Sequence, residues 1–457
     1  MMDKYDAIVI GTGQAGPSLA ARCAQEGLKT AVIERHLFGG TCVNNGCTPT
    51  KTLVASARAA YMARRMEDFG VSIDGPVIVD MEKVKARKDA IVKESTEGVE
   101  NWLKSTENLT VYEEHARFEE PKVLSVGDDQ ITGDKIFINV GGRAFIPPGF
   151  EDVDYLTNTS IMELDEVPKH LIIVGGGYIG LEFGQMYRRF GSEVTIVEQG
   201  ERLLPKEDED ISEAIQDILE DEGVNFRFNA ECIGGSKNNG QVVVEVNCND
   251  GPPKITGSHL LLATGRRPNT DDLGLENTSI KTDDRGFIQV DDQLQTTADD
   301  VWALGDCNGE GAFTHTAYND FEIVAANLFD DNPRRLSDRI MCYALYIDPA
   351  LGRVGMTESQ ARASDRNVLI GKRAMDHIAR SKEKGETKGF MKILIDADTE
   401  KILGAAILGI EGDEIIHSLI DMMYADEPYT TIRDAVHIHP TVSELIPTML
   451  ENLEHLD

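Results

Sequence analysis

The chain has 457 residues, of which 41% are apolar, and a formal net charge of −34. This length predicts about two to four domains. The negative charge excludes nucleic acid and anionic membrane surfaces as expected partners. The sequence has no apolar run of about 20 residues, so we expect no membrane-spanning segment. The seven scattered cysteines and the absence of a signal peptide indicate a reducing, cytoplasmic location. A halophilic source would also explain the charge, and the composition leaves this open.

The first predicted unit is a strand and a helix joined by a glycine-rich loop. The buried strand Ala7–Ile10 precedes Gly-x-Gly-x-x-Gly, and a helix over Pro17–Glu26 and a strand over Thr30–Ile33 follow. The strand ends on an acid, Glu34, as in a dinucleotide-binding fold, where glycines let the backbone approach a pyrophosphate and the acid accepts from a ribose hydroxyl. The glycines of this loop are Gly11, Gly13 and Gly16.

Two cysteines, Cys42 and Cys47, follow in a Gly- and Asn-rich segment ahead of a predicted helix. On a regular helix, five residues would separate them axially by roughly 7.5 Å, more than the Cα separation of about 6.8 Å that a disulfide tolerates. A bridge therefore needs a distorted helix start, which Gly46 and Pro49 would permit. Lys51 lies one turn after Cys47 and would bring a positive charge near a thiolate. The spacing alone leaves two free buried cysteines as an equal alternative and makes a zinc site less favoured.

The strand–loop–helix–strand unit recurs in the middle of the chain. Leu171–Val174 is a strand, a helix is predicted over Leu181–Phe190, and the strand Val194–Val197 ends on Glu198. Eighteen positions lead from the last loop glycine to the acid in both copies. Two folds of one design predict two dinucleotides, and a chain that holds both most simply passes electrons between them. The glycines of the second loop include Gly175, Gly177 and Gly180.

The remaining segments indicate how the chain passes between domains. Val84–Leu103 is a predicted helix, and Ile136–Gly142 and Leu260–Arg267 are strand-to-turn exits. Val301–Asp306 is a buried strand that ends in Gly-Asp, at the edge where open α/β sheets bind ligands. A turn-forming aspartate is the alternative for Asp306.

From about Arg339 the pattern changes to alternating strands. Phe390–Ile395 and Ile402–Leu408 predict an antiparallel hairpin, covered by helices over 414–424 and 442–453. His439 lies close to the carboxylate of Glu444 in a segment with Pro and Glu placed as at a helix start. Most lone histidines are structural, but this one could be an oriented general acid/base.

These motifs together resemble the class I pyridine nucleotide–disulfide oxidoreductases, which include glutathione reductase, dihydrolipoamide dehydrogenase and mercuric reductase. The most specific segments are Gly39–Lys51, Gly175–Glu182, Gly305–Asp306 and His439–Glu444. The resemblance covers essentially the whole chain. It implies an α/β fold of two Rossmann-like dinucleotide-binding domains plus a C-terminal α+β dimerisation domain. The expected boundaries are FAD-binding over 1–147, NAD(P)-binding over 148–268, a return to the FAD-binding domain over 269–336, and dimerisation over 337–457.

The resemblance also assigns roles. Cys47 would face the flavin and Cys42 would attack the substrate, while Lys51 would pair with Glu182 beside the flavin. Tyr178 would cover the flavin until the nicotinamide displaces it. His439, held by Glu444, would move the proton from the other subunit, which implies a homodimer. Gly11, Gly13, Gly16 and Glu34 would hold the FAD adenosine and pyrophosphate, and Asp306 its ribityl or phosphate region. The remaining expected cofactor contacts are Gly40, Thr41, Gly141, His315, Gly175, Gly177, Gly180, Glu198 and Gly265.

Within the family, residues 297–306 and 353–358 favour the mercuric-reductase-like branch, which includes the reactive-chlorine-resistance reductases. Mercuric reductases end in a vicinal cysteine pair, whereas the last cysteine here is Cys342, which weakens mercury as the substrate. We expect electrons to pass from NAD(P)H through FAD to Cys42 and Cys47, and on to a disulfide or a thiophilic metal ion. The acid Glu198 favours NADH. The alternatives are a dihydrolipoamide dehydrogenase of a multienzyme complex and a transhydrogenase or NADH oxidase that needs no thiols.

Overall fold

The computed structural model describes residues 2–247 and 251–456, with the side chains of Cys232 and Ile233 left out. No helix in this described part is both long and apolar enough to cross a membrane. The α-helices are Gly16–Gln25 (α1), Gly40–Asn45 (α2), Cys47–Arg64 (α3), Met81–Ser105 (α4), Tyr178–Phe190 (α5), Glu209–Asp221 (α6), Thr314–Phe329 (α7), Glu358–Arg362 (α8), Ala379–Glu383 (α9), Gly412–Ile415 (α10), His417–Tyr424 (α11), Thr430–Arg433 (α12) and Leu445–Leu450 (α13).

The strands form several separate sheets. They are Asp3–Ile10 (β1), Thr30–Ile33 (β2), Leu109–Tyr112 (β3), Ala116–Glu120 (β4), Val123–Val126 (β5), Asp129–Ile138 (β6), Gly142–Ala144 (β7), His170–Val174 (β8), Glu193–Val197 (β9), Val224–Arg227 (β10), Glu231–Asn238 (β11), Gln241–Asn247 (β12), Lys254–Gly257 (β13), His259–Leu262 (β14), Arg266–Pro268 (β15), Val301–Ala303 (β16), Cys342–Leu345 (β17), Leu351–Gly355 (β18), Val368–Ala374 (β19), Phe390–Asp396 (β20), Ile402–Leu408 (β21) and Glu454–His455 (β22).

The first sheet has the order β3-β2-β1-β6-β5-β4, and β16 pairs with β6. Strands β3, β2, β1, β6 and β16 run parallel. Strand β2 is buried along its whole length and β1 over its last four residues, as expected for strands covered on both faces. The pairing of β16 with β6 brings the late Gly305–Asp306 turn next to the first glycine loop.

The second sheet has the order β10-β9-β8-β14 with all strands parallel, so both predicted dinucleotide units form. Both helices begin earlier than predicted, α1 at Gly16 and α5 at Tyr178. The last loop glycine is already helical in each unit, because it lets the helix pack directly on the loop. A Cβ at Gly180 would lie 2.0 Å from the carbonyl oxygen of Gly175.

The two predicted exit segments meet: β7 pairs antiparallel with β15. A three-stranded sheet, β11-β12-β13, accompanies the second parallel sheet. These pairings agree with the predicted passage of the chain, while the predicted domain boundaries stay predictions.

The C-terminal sheet is antiparallel, with the order β17-β18-β21-β20-β19-β22. The predicted hairpin forms as β20 and β21. The helix predicted over 414–424 begins at Gly412 and is interrupted at Ile416. The helix predicted over 442–453 is shorter, Leu445–Leu450, because Thr441 forms a side-chain turn before it and residues 454–455 pair with β19 after it.

Candidate active site

One cavity of about 2540 Å³ joins the first glycine loop, the cysteine segment and the start of α5. Its described lining contains most of the residues predicted for cofactor and catalysis. Those are Gly11, Gly13, Glu34, Gly40, Thr41, Cys42, Cys47, Lys51, Gly141, Gly177, Tyr178, Glu182, Gly265, Asp306 and His315. The predicted residues that lie outside this lining are Gly16, Gly175, Gly180, Glu198, His439 and Glu444.

The conformation of the first glycine loop is fixed by hydrogen bonds from a side chain that sequence reasoning missed. The amide of Asn139 donates to the carbonyl oxygens of Gly11 and Gly13 at 3.3 and 3.1 Å. Gly11 has φ +99°, and a Cβ there would lie 2.3 Å from the Asn139 carbonyl oxygen. The loop therefore requires glycine for its conformation and for its close packing against the end of β6. Glu34 accepts from the backbone N–H and hydroxyl of Thr12 at 3.0 and 2.6 Å.

The helix carrying the cysteines is broken between them, as the spacing required. Helix α2 ends at Asn45, Gly46 has φ −134° and ψ −115°, and α3 starts at Cys47. Both cysteines are free, and a hydrogen bond joins their side chains. This bond lowers the pKa of Cys47 to about 6 and raises the pKa of Cys42. The pair is thus chemically asymmetric, with Cys47 favoured as the thiolate.

Lys51 and Glu182 form the predicted ion pair. The Lys51 ammonium lies 2.9 and 3.1 Å from the two carboxylate oxygens of Glu182, whose side chain is 9% exposed. Glu182 also accepts from the backbone N–H of Tyr346 at 2.9 Å, and Lys51 lies 4.4 Å from the centre of the Tyr346 ring. The pair joins α3 to α5 and fixes a positive charge inside the cavity, near Cys47.

Thr314 is a second residue that sequence reasoning missed. Its hydroxyl oxygen lies 2.9 Å from the Cys47 sulfur. Thr314 is the first residue of α7, so it comes to Cys47 from an element 267 positions along the chain. A Thr-x-Thr at a helix start was visible in the sequence, but nothing local links it to the cysteines.

The Gly305–Asp306 turn presents its carboxylate to the cavity. Burial raises the pKa of Asp306, and the nearest cation, Arg266, is 3.6 Å away. The turn is supported by Asp320, a third missed residue, whose carboxylate accepts from the Gly305 N–H at 2.7 Å and the Asn308 amide at 3.0 Å. Arg339 pairs with the other oxygen of Asp320. A half-buried carboxylate facing the cavity with so little cationic compensation suits a hydroxyl-rich ligand.

The second glycine loop and the start of α5 line the cavity through Gly177 and Tyr178. Tyr178 is the first residue of α5. Its ring packs edge-on against the rings of Phe313 and Tyr343, with distances between ring centres of 6.1 and 5.6 Å. Its hydroxyl donates to Glu207 at 3.5 Å, and the Tyr343 hydroxyl donates to the same carboxylate oxygen. Glu198 follows β9 and accepts from the N–H groups of Gly176 and Gly200, each at 2.7 Å.

His439 and Glu444 form the predicted pair but lie apart from the cysteines. The His439 side chain is 76% exposed, and both residues are outside the described cavity lining. Val436 and Ile438 in the same segment are also highly exposed. Within one chain the histidine therefore lies outside the cavity that contains the sulfur pair.

Comparison with known families agrees with this geometry. The model of the pyridine nucleotide-disulphide oxidoreductases matches residues 5–320, and the model of the dimerisation domain of the same family matches residues 341–450. The chain belongs to the pyridine nucleotide-disulphide oxidoreductase family. The predicted α/β fold and its C-terminal dimerisation-type domain are thereby confirmed, and the protein is an oxidoreductase of the flavin-dependent disulfide reductase type.

Several curated relatives align over nearly the whole chain. The probable pyridine nucleotide-disulfide oxidoreductase RclA of Escherichia coli is 37% identical over 97% of this chain and 98% of that protein. Dihydrolipoyl dehydrogenase 2 of Haloarcula marismortui is 34% identical over 96% and 94%. A mercuric reductase of Staphylococcus aureus is 30% identical over 95% of this chain and 81% of that protein.

Among solved structures, the HOCl-induced flavoprotein disulfide reductase RclA from Escherichia coli superposes with a TM-score of 0.89 at 35% identity, covering 98% of this chain and 99% of that one. Its Cu(II) complex matches with the same TM-score and identity over 97% of this chain and 99% of that one. The predicted resemblance to the RclA-like and mercuric-reductase-like branch is confirmed.

Proposed function

We propose that the protein is an NADH-dependent, FAD-containing reductase that delivers electrons through Cys42 and Cys47 to a small disulfide or a thiophilic metal ion. The observation that carries the proposal is the contact of Cys42 with Cys47 across the break at Gly46, in a cavity shared by a dinucleotide loop and Tyr178. Two adjacent sulfurs of opposite pKa shift suit dithiol–disulfide chemistry, in which one sulfur attacks and the other resolves.

The cavity residues fit FAD and a nicotinamide dinucleotide. The loop of Gly11 and Gly13, together with Glu34, would hold the adenosine and pyrophosphate end of FAD, and Asp306 would accept from its hydroxyls. Tyr178 and the second glycine loop would receive the nicotinamide nucleotide. When bound, FAD supplies the chemistry that takes a hydride from the nicotinamide and gives two electrons to the sulfur pair.

The chain's own residues account for the steps on sulfur. Cys42 attacks one sulfur of a disulfide substrate as its thiol proton passes to His439, and a mixed disulfide forms while the first substrate thiolate leaves. Cys47 then attacks Cys42, the second substrate thiolate leaves, and the Cys42–Cys47 disulfide results. His439, oriented by Glu444, supplies the proton to the leaving thiolate. A metal-ion substrate would instead take the two electrons of the dithiol, either as one Hg(II) ion or as two Cu(II) ions that take one electron each.

The exposed position of His439 supports a homodimer in which each site is completed by the partner chain. The match to a dimerisation domain and the exposed Val436 and Ile438 beside the histidine support this arrangement. A catalytic rather than structural disulfide suits a reducing cytoplasm, where we place the protein.

NADH is proposed as the reductant because Glu198 ends the second strand of its unit. A carboxylate there accepts from the free ribose 2′-hydroxyl of NADH and repels the 2′-phosphate of NADPH. We expect kcat/KM for NADH to exceed kcat/KM for NADPH. The Glu198→Ser substitution should reduce the ratio of these two values.

Anaerobic titration with NADH tests the proposal. The wild-type protein should develop long-wavelength absorbance from a Cys47 thiolate beside the oxidised flavin. Cys47→Ser should abolish this band, whereas Cys42→Ser should keep a band and lose turnover. A substrate panel of glutathione disulfide, Cu(II) and Hg(II) would then identify the acceptor. Protein that stays colourless after addition of free FAD, or wild type without the band, would refute the proposal.

A dihydrolipoamide dehydrogenase role is the second candidate, because relatives with that name are 33–34% identical over nearly the whole chain. It predicts lipoamide turnover and co-purification with an acyltransferase core. Turnover of Cu(II) or Hg(II) without lipoamide turnover would favour the first candidate.

A further inference from the structure

We propose that Thr314 is a positioning residue that makes Cys47, rather than Cys42, the charged sulfur of the reduced pair. The inference rests on the proposed function, because it concerns the dithiol state of Cys42 and Cys47. The Thr314 hydroxyl reaches Cys47 from a helix far along the chain and affects the reduction potential of the pair.

The hydrogen bond from Thr314 has only one chemically sensible direction in the reduced pair. Its oxygen lies 2.9 Å from the Cys47 sulfur. A thiolate has no proton to donate, so the threonine hydroxyl must be the donor. In the part of the chain that the structure describes, this hydroxyl has no other hydrogen-bond partner, so its single proton is available to the sulfur.

The backbone around this bond favours charge on the same sulfur. Cys47 is the first residue of the 18-residue α3, and Thr314 is the first residue of the 16-residue α7. Two long helices therefore direct their partially positive ends at one sulfur atom. Cys42 lies inside the six-residue α2, which offers no comparable field.

The charged groups facing the pair reinforce the asymmetry. Lys51 lies one turn along α3 and lowers the pKa of Cys47, while Glu182 on α5 opposes it. The Glu182 charge is offset by Lys51, which contacts both its oxygens, and by the backbone N–H of Tyr346. The Cys42 side chain completes the set, because its hydrogen bond with Cys47 also lowers the pKa of Cys47.

The hydroxyl affects the potential as well as the acidity. Reduction of the pair converts one disulfide, two electrons and one proton into a Cys47 thiolate and a Cys42 thiol. The Thr314 bond is strong to the thiolate and weak to a disulfide sulfur, because a charged acceptor roughly doubles its strength. Thr314 therefore favours the reduced state, and its removal makes the pair harder to reduce.

The test compares Thr314→Val, which keeps the shape and loses the donor, with Thr314→Ser, which keeps the donor. Two quantities are measured on FAD-loaded protein: the pH midpoint of the long-wavelength absorbance after reduction, and the potential of the pair against NADH/NAD⁺. Thr314→Val should raise the midpoint by about one pH unit, a tenfold change in the thiolate equilibrium. The same tenfold factor lowers the potential by about 30 mV. Thr314→Ser should resemble wild type in both.

Unchanged midpoint and potential in Thr314→Val would overturn the inference. So would equal shifts in the valine and serine variants, since packing rather than the hydroxyl would then be responsible. If the valine variant does not retain FAD, Thr314→Ala, which adds no bulk, takes its place. Wild type without any long-wavelength band defeats the proposed function itself, whereas a wild-type band with an unshifted variant defeats only the role of Thr314.

Discussion

Nδ1 of His439 lies 3.0 Å from both carboxylate oxygens of Glu444, on a side chain that is 76% exposed and outside the cavity that contains its own cysteines. The carboxylate fixes the imidazole with Nε2 directed outward, as an acid/base at an interface requires. The catalytic pair of one chain and the histidine of another would then form one site.

Mixed dimers should therefore regain activity that neither parent has. A Cys42→Ser chain and a His439→Gln chain, co-expressed with different affinity tags and purified through both, should show about half of wild-type turnover, since one of two sites is intact. A heterodimer as inactive as its parents would show that the histidine acts within its own chain. Pairing Cys42→Ser with Cys47→Ser provides the control, because both changes fall in the sulfur pair and no intact site can form.

Gly16→Ala and Gly180→Ala should separate the two nucleotide sites. The new Cβ would lie 2.1 Å from the Gly11 carbonyl oxygen in the first case and 2.0 Å from that of Gly175 in the second. We expect Gly16→Ala protein to purify without flavin, and Gly180→Ala protein to stay yellow with a KM for NADH raised at least about tenfold. Absorbance and steady-state kinetics measure both.

The control for these glycine variants is Gly98→Ala. Gly98 lies within α4, and an added Cβ would meet no described atom within 4 Å beyond its chain neighbours and the backbone of its own helix. This change should leave both cofactor sites intact and stabilise the helix by up to about 1 kcal/mol. Flavin retained at wild-type level by Gly16→Ala would contradict the assignment of the first loop.

Asp320→Asn should weaken FAD retention although Asp320 lies behind the cavity. Its carboxylate holds the Gly305 turn and pairs with the buried Arg339. Hydrogen bonds to charged groups contribute about 1.5–3 kcal/mol, so FAD release should increase roughly ten- to a hundredfold. The amount of released FAD can be measured from the flavin fluorescence after dilution of the protein.

Asp330→Asn provides the matched control for Asp320, because Asp330 follows the same helix but pairs with Arg22 on the surface. It should retain FAD as wild type does. Equal FAD release in the two variants would mean that Asp320 does not support the turn.

Lys392→Met should lower thermal stability. The Lys392 ammonium is 1% exposed and lies 2.8–2.9 Å from carboxylate oxygens of Asp208, Asp210 and Glu358. Removing it leaves three crowded carboxylates, at a cost of about 3–5 kcal/mol. Lys372→Met is the control, since Lys372 is 47% exposed and its ion pair with Asp210 lies at the surface, so its loss should cost less than about 1 kcal/mol. Similar melting temperatures for the two variants would show that the buried lysine is not needed.

Sequence reasoning predicted the local structure where it depends on spacing. The glycine loops and the break between the cysteines follow from backbone rules over a few residues, whereas the cofactor roles of Glu34 and Glu198 stay predictions. The ion pair of Lys51 and Glu182 was expected only from the family resemblance, because 131 positions separate the two.

The residues that were missed reach the site from far along the chain. Thr314, Asn139 and Asp320 carry no local signal, since their roles depend on which strands and helices become neighbours. Helix ends were also missed. The last helix ends at Leu450 and not at the predicted residue 453, because the chain leaves it to form the two-residue strand β22 against β19.

Strand β16 pairs with β6 only after the whole second parallel sheet has been translated. During synthesis on the ribosome, the first sheet is therefore incomplete until β16 emerges, whereas all strands of the second parallel sheet are available earlier. The Gly305–Asp306 turn emerges at the same late moment.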